Sequence, residues 1–231
     1  MESFYINAVA GPSLGGILLV AILAYFCGCF NGAVIVSKYI LRDDVRNHGS
    51  GNAGLTNFHR TFGGKLTAIV ILADALKAVV AVLIGSGFLS GAFGVVENYA
   101  ISAHVSGMWE LFGKYWAALW CLLGHMFPCM FQFKGGKGVL SGGAIALMLD
   151  WRIALVVWVG FLLLVLLTRY VSLGSVWAGI SFPFATWFCY SDPVIVILGF
   201  LCGGLVVWQH RGNIKRLIQG NENKFSFHRR P

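Results

Sequence analysis

Phe133-Lys134-Gly135-Gly136-Lys137-Gly138 followed by Val139-Leu140-Ser141-Gly142-Gly143-Ala144-Ile145-Ala146-Leu147-Met148-Leu149 decides how this chain is to be folded. The apolar run Val139–Leu149 is shorter than the about 20 residues that an upright membrane helix needs. Whether it counts as a crossing decides the side on which every later loop falls. The six residues before it hold two lysines and three glycines between apolar segments. Glycine permits positive φ and lets a bulky anion approach the main-chain amides. Successive amides in such a turn make a concave anion site, and lysine adds charge. The turn therefore reads either as a phosphate cradle at a membrane surface or as a plain basic loop on the cytoplasmic side. It is not a nucleotide P-loop, because Lys137 is followed by glycine and position 131 is Phe where that motif needs glycine.

Working outward, 58% of the 231 residues are hydrophobic and 11% are charged, with a mean hydropathy of +0.76. Such a composition points to an integral membrane protein. The stretch 11–38 has no charged segment and small-residue cleavage site before it, so it reads as a span rather than a signal peptide. Cys27, Cys29, Cys121, Cys129, Cys189 and Cys202 are dispersed in apolar stretches with no C-x-x-C pair. They read as small buried hydrophobes rather than disulfides or zinc ligands. The net charge of +8 belongs to the loops and does not indicate nucleic acid.

The expected architecture is all-α: one domain over residues 1–231 with about seven transmembrane helices. The spans are placed at Leu14–Tyr39, Lys65–Leu89, Tyr115–Phe133 (interrupted near Pro128), Val139–Leu149, Ile153–Thr168, Val171–Tyr190 and Val194–Gln209. Ser90–Lys114, with Glu97 and Glu110, is expected outside the membrane, and Asp150-Trp151-Arg152 as a turn. Placing the N-terminus outside puts fourteen of the seventeen Lys/Arg on the cytoplasmic side, as the positive-inside rule requires. The loops near 42–64 and 133–141 and the tail near 210–224 then share one cytoplasmic face with the C-terminus.

Three constellations could carry chemistry. Gly49-Ser50-Gly51-Asn52-Ala53-Gly54-Leu55-Thr56-Asn57-Phe58-His59-Arg60 alternates glycines with short hydrogen-bonding side chains and ends in a cation. It offers amides, hydroxyls and a guanidinium to a phosphate monoester, although Gly/Ser/Asn clusters are also ordinary turn material. His125-Met126-Phe127-Pro128 ends a helix where freed carbonyls must line a buried or wet cavity; His125 reads as a hydrogen-bond or acid/base group, or as an interfacial histidine. His210-Arg211-Gly212-Asn213-Ile214-Lys215-Arg216 and the following Glu222 read as a juxtamembrane amphipathic helix anchored to anionic lipid, which leaves Asn213 and Glu222 unexplained. Asp74 and Lys77, three apart inside a span, are either a site or a structural clasp.

In that order and spacing, GSGNAGLTNFHR, HMFPCMFQFKGGKGVLS and HRGNIKRLIQGNENK closely resemble the bacterial membrane acyl-phosphate:glycerol-3-phosphate acyltransferase family. Leu72-Ala73-Asp74-Ala75-Leu76-Lys77 and Arg169-Tyr170-Val171-Ser172-Leu173 add smaller matches. The resemblance runs from about Tyr25 to Lys224. It implies a seven-helix enzyme of the bacterial inner membrane with its site facing the cytoplasm. Such an enzyme moves an acyl group from acyl phosphate to the 1-hydroxyl of glycerol 3-phosphate, yielding lysophosphatidate and phosphate. By motif position, Lys134, Lys137, His210, Asn213 and Glu222 would be catalytic. Ser50, Asn52, Thr56, Asn57, Arg60, Gly135, Gly136, Gly138 and Ser141 would bind substrate.

The chain departs from the family's usual pattern at Gly28-Cys29-Phe30-Asn31-Gly32, at Leu55 and at Leu140-Ser141, and Ser90–Lys114 is longer than typical. Acyl phosphate is already activated, so positioning and charge stabilisation suffice without a covalent nucleophile. No histidine is followed five residues later by Asp. The partners expected are the two small-molecule substrates and membrane lipid, with no cofactor, metal, nucleic acid or obligate protein partner. The rival reading is a small transporter of phosphate esters or other anions, which would hold its site near the midplane on broken helices. Within the enzyme reading, Ser50 and Arg60 are assigned to glycerol 3-phosphate and the KGGKG turn to the acyl phosphate head.

Overall fold

The computed structural model describes residues 12–90 and 99–225; Glu97, Arg229 and Arg230 lie outside them. Among the described residues all regular structure is helical. In order, the α-helices are α1 Leu14–Cys29, α2 Gly32–Ile35, α3 Leu55–Thr61, α4 Leu66–Ser90, α5 Tyr99–Met126, α6 Val139–Leu149, α7 Trp151–Thr168, α8 Val171–Cys189, α9 Pro193–Gln209 and α10 Arg211–Ile218. A π-helical turn, Val36–Ile40, continues α2.

Helix starts follow the sequence. Ser13 accepts from the Gly16 amide at 3.1 Å. Asp150 caps α7 through Arg152 N, and Asp192 caps α9 through the amides of Val194 and Ile195, with Pro193 in the first turn. Each side chain satisfies amides that a helix start leaves open. Asn31 caps α2 by accepting from Val34 N and reaches across to the Ala53 carbonyl at 3.0 Å. The chain bends by 42° there, and the bend ties the first span to the loop that follows it.

Among the described residues two helices, α4 and α7, are long and apolar enough to cross a bilayer, or up to four spans if each bent pair, α1 with 32–40 and α9 with α10, is counted as one. α6, with 11 residues, is too short to cross upright. The surface is apolar where a water-soluble protein's would be polar: Leu162, Leu163, Leu166 and Leu167 on α7 and Phe188 on α8 point outward. The interior is built from small residues such as Ala24, Ala78, Ala81, Ala117 and Ala146. That inversion is what lipid as solvent favours, because close helix approach replaces hydrophobic burial as the packing term. At the α1/α5 crossing, a Cβ on Gly28 would collide with the Cys121 carbonyl and one on Gly124 with the Tyr25 carbonyl.

Packing joins α1, α4 and α5 into one group and α7, α8 and α9 into another, with α6 between them and α5 also meeting α9. Two expectations change. Residues 99–114 are not a loop outside the helices but the first half of α5, whose 28 residues span about 42 Å. Glu110 takes part in an i,i+4 ion pair with Lys114 at 2.6 Å and accepts from Ser86 of α4 at 3.2 Å, so it supports the helix. Trp151 and Arg152 likewise belong to α7 rather than to a turn.

Candidate active site

The loop between α2 and α4 is organised by Asn57. Its side-chain amide donates to the carbonyls of Val45, His48 and Asn52 at 3.0 to 3.1 Å, and its oxygen accepts from Ser50 N at 3.0 Å. A Cβ at Gly49, where φ is +57°, would strike that oxygen, so glycine is required there. Asn57 is therefore taken up by the loop's own backbone, and it holds Ser50, Asn52, Thr56 and Arg60 at the rim of one cavity. Arg46 locks the loop to its neighbour: it pairs with Asp44 at 2.7 Å and donates to the Phe131 carbonyl at 2.8 Å. The Arg46 hydrogen bond holds the Asp44 carboxyl below the usual range.

The KGGKG turn folds differently from an anion nest. α5 ends at Met126, and Gln132 and Phe133 both take left-handed backbone, at φ 60° and 57°. This turns the chain back, so that Gly135 N donates to Met126 O and Gly136 N to His125 O, each at 3.1 Å. The two amides expected to cradle a phosphate instead satisfy the carbonyl end of α5. Glycine is needed at 135 for a steric reason, since a Cβ would collide with the His125 carbonyl. Lys134 is exposed and does not line the cavity; Lys137, half-buried, and Gly138 do. Ser141 is fully buried and donates to the Asp74 carbonyl at 3.0 Å, away from the cavity.

Lys137 Nζ donates a hydrogen bond to Asn213 Oδ1. Asn213 donates in turn to Glu222 at 2.9 Å, and Arg216 closes the chain on the other Glu222 oxygen at 2.8 Å. Burial, together with the nearby cations of Arg216 and Arg60, pushes the Lys137 ammonium down to about 8, with Glu222 opposing. His210 sits in the 57° bend between α9 and α10. Its Nδ1 lies 2.7 Å from the Val206 carbonyl; a carbonyl only accepts, so Nδ1 carries the proton and Nε2 keeps its lone pair. Burial, with some help from Lys137, lowers this imidazole to about 4, leaving it neutral at pH 7.

Beneath the turn, Lys77 Nζ donates to Phe30 O at 2.8 Å and to Asp74 Oδ1 and His125 Nδ1 at 2.7 Å each. Asp74 and Lys77 are 1% and 6% exposed. The cluster clasps the α1 break, α4 and the end of α5, and it presents the His125 ring to the cavity. Asp74→Ala would leave a buried ammonium without its counter-charge, at a cost of about 3–5 kcal/mol. The expected result is a clearly lowered melting temperature in detergent, with Asp74→Asn falling by less; an unchanged melt for Asp74→Ala would refute the clasp.

The cavity measures about 1400 Å³ and brings Ser50, Arg60, Lys137, His210, Asn213 and Glu222 together. The same lining includes the apolar residues Val139, Leu140, Trp158, Phe161 and Val171, together with Ser172 and Ser175. Sequence reasoning did not place these residues in the site. The signal available in the sequence was the Arg169-Tyr170-Val171-Ser172-Leu173 match, which carries Val171 and Ser172.

Comparison with known proteins supplies the family. The glycerol-3-phosphate acyltransferase family matches residues 18–220. The enzyme of that name from Thermoanaerobacter pseudethanolicus is 37% identical over 207 residues, covering 90% of this chain and 94% of its own. Its counterpart from Syntrophotalea carbinolica is 33% identical over 225 residues, 97% and 99% of the two chains. The crystal structure of PlsY (YgiH), an integral membrane glycerol 3-phosphate acyltransferase, in its glycerol 3-phosphate form, superposes with a TM-score of 0.74 at 32% identity over 92% of this chain and 96% of that one. A lysophosphatidic acid form of the same protein gives 0.72 at 31%. The cavity, the three converging stretches and the helical fold thus have one home: this chain belongs to the glycerol-3-phosphate acyltransferase family.

Proposed function

We propose that this acyltransferase moves an acyl group from acyl phosphate to the 1-hydroxyl of glycerol 3-phosphate, at the cytoplasmic face of a bacterial inner membrane. The observation that carries the reading is the convergence of Arg60, Lys137 and the Arg216–Glu222 segment on one cavity that also has apolar lining. Both substrates are phosphate anions and one bears a lipid tail, so cationic and apolar lining in one cavity suit the pair. About seven crossings, with the N-terminus outside, remain the arrangement that best fits the distribution of Lys and Arg.

In this reading Arg60 meets the glycerol 3-phosphate phosphate with two parallel N–H donors, and Ser50 adds a hydroxyl. Asn52 and Thr56 line the same rim. Lys137, oriented by Asn213 and Glu222, neutralises charge that develops as the carbonyl is attacked. His210 Nε2 accepts the proton of the attacking hydroxyl. The new ester C–O bond forms, the acyl–phosphate C–O bond breaks, and the proton passes to the departing phosphate. Lys134, on the outer side of the turn, serves as a surface cation towards anionic lipid.

Purified protein in detergent, given glycerol 3-phosphate and acyl phosphate, should release lysophosphatidate and inorganic phosphate, and acyl-CoA should not replace the donor. Arg60→Ala is expected to raise the KM for glycerol 3-phosphate at least tenfold, since each charge-assisted bond is worth roughly 1.5–3 kcal/mol. The KM for acyl phosphate should move far less. Equal increases in both constants would replace the two-substrate assignment by a single shared anion pocket.

A further inference from the structure

Two of the six cysteines, 100 residues apart in sequence, meet in the fold. Cys29 Sγ and Cys129 Sγ lie 4.0 Å from each other. Cys29 ends α1 and is fully buried. Cys129 opens the short 3-10 turn Cys129–Phe131 after α5 and is exposed, where the sequence suggested a buried hydrophobe. Gln132 and Lys134, polar and exposed, follow it closely, so a water-borne reagent can reach the thiol.

The packing holds both sulfurs in place. The Tyr25 hydroxyl, one turn before Cys29, donates to the Phe127 carbonyl at 2.7 Å, just ahead of Cys129. A Cβ on Gly28 would collide with the Cys121 carbonyl, so α1 lies hard against α5 and Cys29 has no room to move. The Cys129 turn lies outside any α-helix, between Pro128 and the left-handed Gln132 and Phe133. Two thiols held this close present a high effective concentration to each other. Neither lines the cavity, so the acyl-transfer chemistry does not account for them.

We propose that Cys29 and Cys129 form a reversible dithiol–disulfide pair whose oxidised form slows the acyltransferase. A low-molecular-weight disulfide is the oxidant. The Cys129 thiolate attacks one sulfur of that reagent, forming a mixed disulfide and releasing one thiol. The Cys29 thiolate then attacks Cys129 Sγ and displaces the second thiol. The reagent's S–S bond breaks, the Cys29–Cys129 bond forms, and the two protons leave on the two released thiols. A disulfide is about 2.05 Å long, so the sulfurs must approach by about 2 Å. With Cys29 fixed, the turn after α5 gives way. Arg46 holds the Phe131 carbonyl of that turn at 2.8 Å and pairs with Asp44 in the loop between α2 and α4. The same turn runs on into Lys137. The bridge therefore shifts cavity residues on both sides of the turn.

The test uses full-length reduced protein in detergent, incubated with glutathione disulfide. Two of the six free thiols should be lost, and peptide mass mapping should place the bridge between Cys29 and Cys129. Acylation of glycerol 3-phosphate should fall about tenfold in kcat, as small misplacements of catalytic groups cause, and dithiothreitol should restore it. Cys129→Ser should match the reduced parent and ignore glutathione disulfide. Cys29→Ala should stop at a glutathione adduct on Cys129, because no second thiol is at hand to displace it. Six intact thiols, a stable glutathione adduct on Cys129 of the parent, or a bridge between other cysteines would each overturn the proposal. So would a Cys29–Cys129 bridge with unchanged kcat, or a loss of rate that persists in Cys129→Ser. Thiol count and mass are read without any acyl donor, so an error in the donor assignment leaves this test standing.

Discussion

Lys137→Ala is expected to lower kcat/KM by two orders of magnitude or more while leaving the melting temperature close to that of the parent. The loss follows from geometry: Lys137 is the cation of the KGGKG turn that lines the cavity, and Asn213 and Glu222 hold its ammonium in one place. A preorganised charge aimed at a developing oxyanion or leaving phosphate is typically worth a few kcal/mol. The fold should tolerate the change, because burial already disfavours the charged ammonium. Titration supplies a second readout. With the ammonium at about 8 in the free protein, the charged form prevails below that pH and is lost above it. kcat/KM should therefore fall as pH rises through about 8. Lys137→Arg should remove that basic limb, since guanidinium stays charged, yet restore little rate because its planar fork cannot occupy an ammonium's position. Near-normal turnover in Lys137→Ala would return the turn to being a cytoplasmic basic loop.

What was legible in the sequence was local. The apolar runs Lys65–Leu89, Val139–Leu149, Ile153–Thr168, Val171–Tyr190 and Val194–Gln209 and the break near Pro128 are short-range patterns, and the structure places those helix ends within two residues. The first half of α5 was not legible, because Gly107 and Glu110 interrupt its apolar run until Glu110 finds Lys114 one turn on and Ser86 on α4. The same limit applies inside the motifs. Lys134 and Lys137 look equivalent in sequence, and the left-handed pair Gln132 and Phe133 is what turns one outward and the other into the cavity. Asn57 and Ser141 look like substrate ligands, but their partners are backbone groups up to 67 residues away. Gly135 and Gly136 advertise open amides, and only the end of α5 shows where those amides go. Spacing names the residue types a phosphate site needs; long-range partners decide which of them stay free.

His210→Ala is the other change expected to have a large effect, a fall in kcat of about a hundredfold or more, within the range typical for removal of a general base. The imidazole is fixed by its Nδ1–H donation to the Val206 carbonyl, which leaves Nε2 as the acceptor on a group lining the cavity. Burial keeps the ring neutral by lowering it to about 4, so the free protein should show no acid limb in kcat/KM near 6.5, where an unperturbed histidine would give one. Instead activity should persist as pH falls and decline only towards 4, where Nε2 is protonated and can no longer accept. Binding of a phosphate dianion nearby raises the imidazole's basicity, so the limb in kcat should lie at higher pH than the limb in kcat/KM. His210→Gln separates two roles. Glutamine can offer an oxygen at a similar reach but cannot carry the proton away, so a residue that only positions the hydroxyl would be largely rescued by it. A base would not. Rates for His210→Ala within a few-fold of the parent would exclude His210 as the proton acceptor.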